Sequence, residues 1–387
     1  MRPPRPSGAL TRDAAPQPIW GRPDPALAAA GIEGEYVVAR VRLVAMGLLM
    51  IAPTWNLFSS PGTAMHVAGF SVTLAATLAS AGIWWVLKNG GWRPWVGFAS
   101  SAFDVSMVSL ALVSFLVVAS PMVALNSTVT FEMYFLALVA TSLRYDARIC
   151  IVVGTLAIAE YASLWGFAAS QYDLADPRYL QDAGPYLPVD LATRLLLLAI
   201  ATLLSVTIVR RAQRLLYLAA HDRLTGLYNR GHFDGVLNST FLQAARDKSR
   251  LAVAILDVDH FKRINDEHGH AVGDRVLQTL AERLSRSMRR TDVVARYGGE
   301  EFVLLMPSTS LEDAIGHVEE VRQEVHGTPV PLGQGRQLTL NFSAGVAALP
   351  VDSEASTPAA LLTLADHRLL EAKRQGRGRC VGQFLSA

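Results

Sequence analysis

The chain has 387 residues, 51% of them hydrophobic, with a mean hydropathy of +0.27 and a formal net charge of +2. That length allows two or three domains, and so small a net charge gives no hint of a nucleic-acid-binding surface, so no nucleic-acid partner is expected. Two cysteines, Cys150 and Cys380, lie far apart in sequence, and neither a disulfide framework nor a metal-ligand spacing follows from them.

The first stretch, crowded with Pro and Arg up to Asp24, lacks the compact apolar core of a secretion signal, and residues 1–38 are expected to form a disordered cytoplasmic tail. Six apolar runs follow: Val41 to Phe58, Ala64 to Leu87, Trp95 to Ala119, Met122 to Leu143, Ile149 to Ala169 and Leu191 to Val209. Each is near the ~20 residues that cross a bilayer, so residues 39–209 are predicted to form an all-α six-span bundle. Pro53 and Asn56 make the first run the weakest.

The short loops set the orientation. Arg40 and Arg42, Lys88 and Arg93, Arg144 and Arg148, and Arg210, Arg211 and Arg214 all fall on one side, whereas the acidic loop Gln171 to Asp190 falls on the other. By the positive-inside rule both termini and the C-terminal domain are cytoplasmic. The expected location is a membrane, crossed several times.

Within the spans, Asp104, Glu132 and Glu160 are costly to bury in lipid and are candidates for an intramembrane sensing site; the plain alternative is that Glu132 and Glu160 snorkel from near the span ends. Trp84, Trp85, Trp92 and Trp95 read as an interfacial aromatic belt. The last span runs on as a helical connector, residues 210–221, in which Leu204, Ile208, Arg211, Leu215 and Leu218 make a short heptad-like seam.

From Asp222 the composition becomes that of an α/β (α+β) domain, 222–387, with a central mainly antiparallel sheet flanked by helices. A helix over His232 to Lys248 leads to strand Leu251 to Val258, then a helix from Asp274 to about Arg289. A hairpin follows, Asp292 to Tyr297 and Phe302 to Met306, with Gly298, Gly299, Glu300 and Glu301 at its tip. Paired glycines permit positive φ and close approach of a ligand, and adjacent carboxylates call for a cation. Helix Leu311 to His326 has Ser310 as N-cap; strand Gln337 to Ala348, a helix opened by Thr357-Pro358 and a short strand near Arg379 to Phe384 complete the chain.

Strand Leu251 to Val258 ends in Asp257-Val-Asp259, a place where hard-cation sites are built; alone it is equally a solvated strand end. Lys373 and Arg377, four apart, read as one phosphate-binding helix face or as a basic helix C-terminus complementing the dipole. No Ser-His or Cys-His nucleophile accompanies these groups, so positioning and charge neutralisation are the chemistry on offer.

In order along the chain stand Asp222-Arg-Leu-Thr-Gly-Leu-Tyr-Asn-Arg230, Asp257-Val-Asp-His-Phe-Lys-Arg-Ile-Asn-Asp266, Gly269-His270 with Gly273-Asp274, Gly298-Gly-Glu-Glu-Phe302, Ser343-Ala-Gly-Val346 and Ala372-Lys-Arg-Gln-Gly-Arg377. Over about the last 165 residues this series resembles the GGDEF-domain diguanylate cyclases, in their GGEEF spelling. The resemblance implies a condensation of two GTP into cyclic di-GMP and two pyrophosphates, by a homodimer attached to the lipid bilayer.

Residue by residue, it implies Mg2+ (or Mn2+) held by Asp257, Glu300, Glu301 and the Val258 backbone, with Asp257, Glu300 and Glu301 the catalytic carboxylates. It places GTP on Phe261, Lys262, Asn265, His270, Asp274, Gly298, Gly299, Lys373 and Arg377, with Asn265 and Asp274 on the guanine edge; Asp274 is equally suited to capping the helix it opens. Arg289-Arg-Thr-Asp292 resembles the family's R-x-x-D inhibitory site, at which Arg289, Asp292 and Arg296 would take cyclic di-GMP as allosteric inhibitor. Leu370 and Gly378 depart from the family's usual Tyr and Asn. The alternative reading is a catalytically silent receptor for GTP or cyclic di-GMP that signals through partners.

Overall fold

The computed structural model describes residues 20, 25–60, 63–90, 93, 95–179, 184–333, 336–352 and 355–382. The chain divides into two compact units, one over 16–217 and one containing 218–387.

The first unit is helical. Its elements are α1 (Pro25–Leu49), α2 (Ile51–Ser59), α3 (Ala64–Gly90), α4 (Val96–Val118), α5 (Pro121–Asn126), α6 (Thr128–Ser142), α7 (Ala147–Gln171) and α8 (Pro188–Ala220). Among the described residues five helices are long and apolar enough to cross a membrane: Gly31–Ser59, Ala64–Gly90, Val96–Val118, Ala147–Gln171 and Pro188–Ala220.

The expected fourth span is not one helix. Ser120 and Pro121 open α5, Ser127 breaks it with an extended backbone (φ −61°, ψ 102°), and α6 restarts for only 15 residues. At 1.5 Å per residue that is about 22 Å, short of the ~30 Å hydrocarbon core. The apolar run hid the break because it falls at Ser127, whose extended backbone leaves the neighbouring side chains as apolar as the rest of the run.

The expected tail also gives way. Helix α1 begins at Pro25 and Glu35 is buried on it, whereas residues 1–19 and 21–24 lie outside the described residues. Arg144 brackets Glu35 at 2.6 Å and reaches Ser100, while Arg42 pairs with Asp104 at 2.7 Å. These buried pairs tie α1 to α4 and to the turn after α6.

In the second unit a six-stranded mixed sheet runs in the order β1 (Tyr228–Asn229), β3 (Val293–Arg296), β4 (Glu301–Pro307), β2 (Leu251–Val258), β7 (Phe342–Leu349), β8 (Cys380–Val381). The three central pairings are antiparallel and the two outer ones parallel. A separate hairpin joins β5 (Val330–Gly333) to β6 (Arg336–Leu338). The expected strand Gln337 to Ala348 is thus two elements.

Strand β2 is buried along its whole length, which is why it reads as a continuous apolar run and not an alternating one. Ala252, Ala254 and Leu256 face α11 (His270–Ser287) and α12 (Leu311–Gly327); Val253 and Ile255 face α9 (Arg230–Asp247) and α13 (Pro358–Arg374). Helix α13 can approach because β7 carries Gly345, where a Cβ would lie 2.0 Å from the Ala365 carbonyl.

Candidate active site

The central strand delivers the acidic groups. Asp257 is the penultimate residue of β2, paired across the sheet with Glu301 on β4 and with Ser343 on β7. The hairpin tip folds back on the same end, with the Val258 amide donating to the Glu300 carbonyl. Lys373, in the last turn of α13, places its ammonium 2.9 Å from the Asp257 carboxylate. Burial and the neighbouring Asp257 and Glu301 charges raise the Glu300 carboxyl above its ordinary range, with Lys373 pulling the other way.

Asp257, Glu300 and Glu301 therefore share one end of the sheet. Among the described residues no three side-chain ligands converge as a preformed metal cage. That donor set suits Mg2+, which takes one or two carboxylates and completes its shell with phosphate oxygens and water, better than an ion needing an all-protein cage. The repulsion at Glu300 is the kind of strain a bound divalent cation relieves.

The glycines serve differently from expectation, since neither Gly298 nor Gly299 has a positive φ. A Cβ on Gly298 would meet the Glu301 carboxylate at 2.5 Å, so glycine there makes room for a carboxylate. At Gly299 a Cβ would meet nothing within 4 Å, leaving open backbone toward solvent.

Beyond β2, His260 takes a left-handed conformation (φ 58°) and starts α10 (Phe261–His268), which a single left-handed Gly269 separates from α11. Helix α11 starts at His270, four residues before the expected Asp274, so Asp274 is not its cap. Asp274 stands exposed beside Gly273, and the Asn265 amide packs against that glycine, where a Cβ would fall 1.9 Å from Oδ1. Asn265 Oδ1 is buried and has no hydrogen-bond donor among the described residues. An acceptor left so costs free energy that a ligand can return. Phe261 is buried against the same glycine, whereas Lys262 and His270 are exposed.

Arg377 is not on the helix face shared with Lys373. Helix α13 ends at Arg374, and Gly376, Arg377 and Gly378 form a left-handed run after it. Asp259, to which the sequence reading gave no role, anchors that run: it accepts from Ser343 Oγ at 2.7 Å and from the Gly378 amide at 3.0 Å. The acidic Asp257-x-Asp259 spacing was the available signal, one carboxylate facing the hairpin and the other the C-terminal loop.

At the other edge, Arg289 is exposed and Asp292 accepts from its backbone amide at 2.9 Å, closing the turn into β3. Arg296 is occupied otherwise. It pairs with Asp222 at 3.1 Å and donates to the Gly299 carbonyl at 2.7 Å. Burial alone would raise the Asp222 carboxyl, but hydrogen bonds from Thr225 and the Arg296 guanidinium outweigh it and hold the group below the ordinary carboxylate range.

The intramembrane candidates are scattered. Asp104 is ion-paired to Arg42, Glu160 accepts from Ser106 and Ser109, and Glu132 lines a separate cavity.

Residues 219–379 match the family model described as "Diguanylate cyclase, GGDEF domain". The same region is 41% identical over 168 residues to the response regulator PleD of Caulobacter vibrioides, covering 43% of this chain and 37% of that protein. It is 42% identical over 161 residues to the diguanylate cyclase DgcP of Pseudomonas aeruginosa, covering 42% and 23%. Among solved structures, the GGDEF domain of TpbB from Pseudomonas aeruginosa aligns with a TM-score of 0.40 and 39% identity, covering 42% of this chain and 99% of that one. The chain spans under two fifths of the length of these two curated relatives. Its C-terminal part is a GGDEF domain with diguanylate cyclase homologues, preceded by helices long and apolar enough to span a membrane.

Proposed function

We propose that the C-terminal unit condenses two GTP molecules into cyclic di-GMP, each 3′-hydroxyl attacking the α-phosphorus of the other nucleotide as pyrophosphate leaves. The observation that carries this reading is the meeting of Asp257, Glu300 and Glu301 with Lys373 at one end of the sheet, beside the open backbone of Gly299. Asp257, Glu300 and the Val258 carbonyl would hold Mg2+ (or Mn2+), which supplies charge neutralisation at the transferring phosphoryl group. Lys373 holds Asp257 at 2.9 Å and is placed to pass its charge to a phosphate, with Arg377 and Lys262 further out. Asn265 offers its unpartnered Oδ1, and Asp274 a carboxylate, to the N–H edge of guanine, which adenine does not present.

One such unit holds one GTP, so the reaction needs two copies face to face, and the connector within α8 is the natural place for a homodimer contact. Arg289 and Asp292 would bind cyclic di-GMP as a feedback inhibitor; Arg296 enters that site only by releasing Asp222 and the Gly299 carbonyl. The first unit would cross the bacterial inner membrane six times, α5 and α6 together making the fourth crossing, with the basic loops and both termini cytoplasmic.

The test is product formation from labelled GTP and Mg2+ by the full chain in nanodiscs, beside Glu300→Ala. Cyclic di-GMP from the wild type alone supports the reading; nucleotide binding with no product, even in a forced dimer, replaces it with a receptor. Unchanged product inhibition in Arg289→Ala would remove the feedback site.

A further inference from the structure

The first unit contains a cavity of about 620 Å³ at the end of the helices remote from Arg144, between the turn joining α5 to α6 and the segment that leads into α8. Its lining includes Glu132 and Phe135 from α6 and Arg194 and Leu197 from α8. Gly184 and Pro185, ahead of α8, form one wall of it, with Asn126 donating to the Gly184 carbonyl at 3.1 Å. The volume lies within the range of small-molecule sites, and a few polar groups among apolar walls are their usual composition.

Arg194 sets this cavity apart. Its guanidinium carbon stacks 4.7 Å from the ring of Phe131, 5.7 Å from Tyr186 and 5.9 Å from Tyr161. Nη1 donates to the Leu125 carbonyl and, at 2.9 Å, to the Tyr161 hydroxyl. Three rings and two acceptors hold the cation in place. Yet among the described residues no carboxylate lies within ion-pair distance of it, and Nε and Nη2 have no acceptor, whereas Arg42, Arg144 and Arg148 of the same unit are each paired. Glu132 lines the same cavity without an ion-pair partner, and Asp190 is engaged by the Leu187 amide. A fixed cation on α8 and an exposed, unpaired carboxylate on α6, with no ion pair between them, offer complementary charges to a molecule carrying both.

We propose that this cavity binds a zwitterion of the amino-acid class. Its carboxylate would take the free edge of Arg194, its ammonium Glu132, and a large apolar side chain the wall of Phe135 and Leu197. The inference goes beyond the cyclase reading and depends on no part of it.

All seven tryptophans lie between Trp20 and Trp165, so the tryptophan-detected melt of the full chain in detergent reports the first unit alone. L-Phenylalanine and L-leucine, titrated to about 10 mM, are expected to raise its midpoint, by about 5 °C at a hundredfold excess over the dissociation constant. Phenylpropionate and phenethylamine, each carrying one of the two charges, are expected to give less than a quarter of that shift. Glu132→Gln, whose side chain makes no ion pair to lose, is expected to melt like the wild type without ligand and to abolish the response; Arg194→Lys keeps the charge and is expected to weaken binding by tenfold or more. No shift from either amino acid overturns the proposal, and so does an undiminished response in Glu132→Gln or a phenylpropionate shift equal to that of phenylalanine.

Discussion

Asn265→Ala separates a residue that serves the fold from one that serves a ligand. In the free protein Asn265 Oδ1 is buried against Gly273 with no donor among the described residues. An unpaired buried acceptor costs about 1–3 kcal/mol, and a guanine amine that reaches it returns about that amount. Inosine triphosphate lacks that amine, so the wild type is expected to bind GTP between about 5- and 150-fold more tightly than ITP. The 3′-deoxy nucleotides carry no attacking hydroxyl, and calorimetric titration with them reads binding without turnover. In Asn265→Ala the preference is expected to fall by at least about fivefold, with the remainder carried by Asp274. The calorimetric melt of the C-terminal unit is expected to stay level or rise by a few degrees, because no native hydrogen bond is lost. An unchanged preference, or a midpoint lowered by more than about 4 °C, would refute the reasoning and return Asn265 to the fold.

Three further outcomes follow from the packing and the charges. In Gly345→Ala the new Cβ would stand 2.0 Å from the Ala365 carbonyl where ordinary contact begins at 3.4 Å, so α13 must retreat by 3.4 − 2.0 = 1.4 Å. A cost of about 3 kcal/mol or more is expected, seen as a lower melting midpoint, together with reduced product formation because α13 carries Lys373. Arg368→Met strands Asp352, its partner at 2.7 Å in the core, and is expected to cost about 3–5 kcal/mol in denaturant titration, of which Asp352→Asn added to it recovers at least half. Burial, with the Glu319 charge adding to it, pushes the Cys380 thiol up to about 12, so only a minute fraction is thiolate near neutral pH. Iodoacetamide at pH 8 is expected to label it about a thousandfold more slowly than a free thiol, as followed by mass spectrometry in Cys150→Ala; labelling within minutes would contradict the buried setting.

Much of the C-terminal unit was legible because its signals are local. Strand Leu251–Val258 appears with the bounds its apolar run gave, Ser310 accepts from the Asp313 amide as a cap, and Thr357 caps the helix that Pro358 opens. What was not legible depends on backbone conformations and partners that no local pattern announces. Gly269 adopts φ 82° and lets α11 start four residues early, a junction that no pattern within α11 announces. In the membrane unit the tail assignment concealed Glu35, whose carboxylate is neutralised 109 residues away by Arg144. Arg194 was passed over inside an apolar run, although a lone arginine there was itself a signal of a buried partner or ligand.

Arg296 shows why the hairpin and the start of the domain have to be read together. Its position before Gly298 invited a role in product binding, yet the guanidinium spans Asp222 and the Gly299 carbonyl. Asp222 also fixes the turn that follows α8, accepting from Thr225, and Asn229 donates to the Ala219 carbonyl at the helix end. Arg296 thus joins the turn that follows α8 to the backbone of the hairpin tip, while Asn229 separately ties β1 to the helix end. The same guanidinium serves both the turn, through Asp222, and the tip, through the Gly299 carbonyl. That double duty explains why Arg296 is half-buried and doubly bonded while Arg289, seven residues earlier, stands exposed with only its backbone engaged.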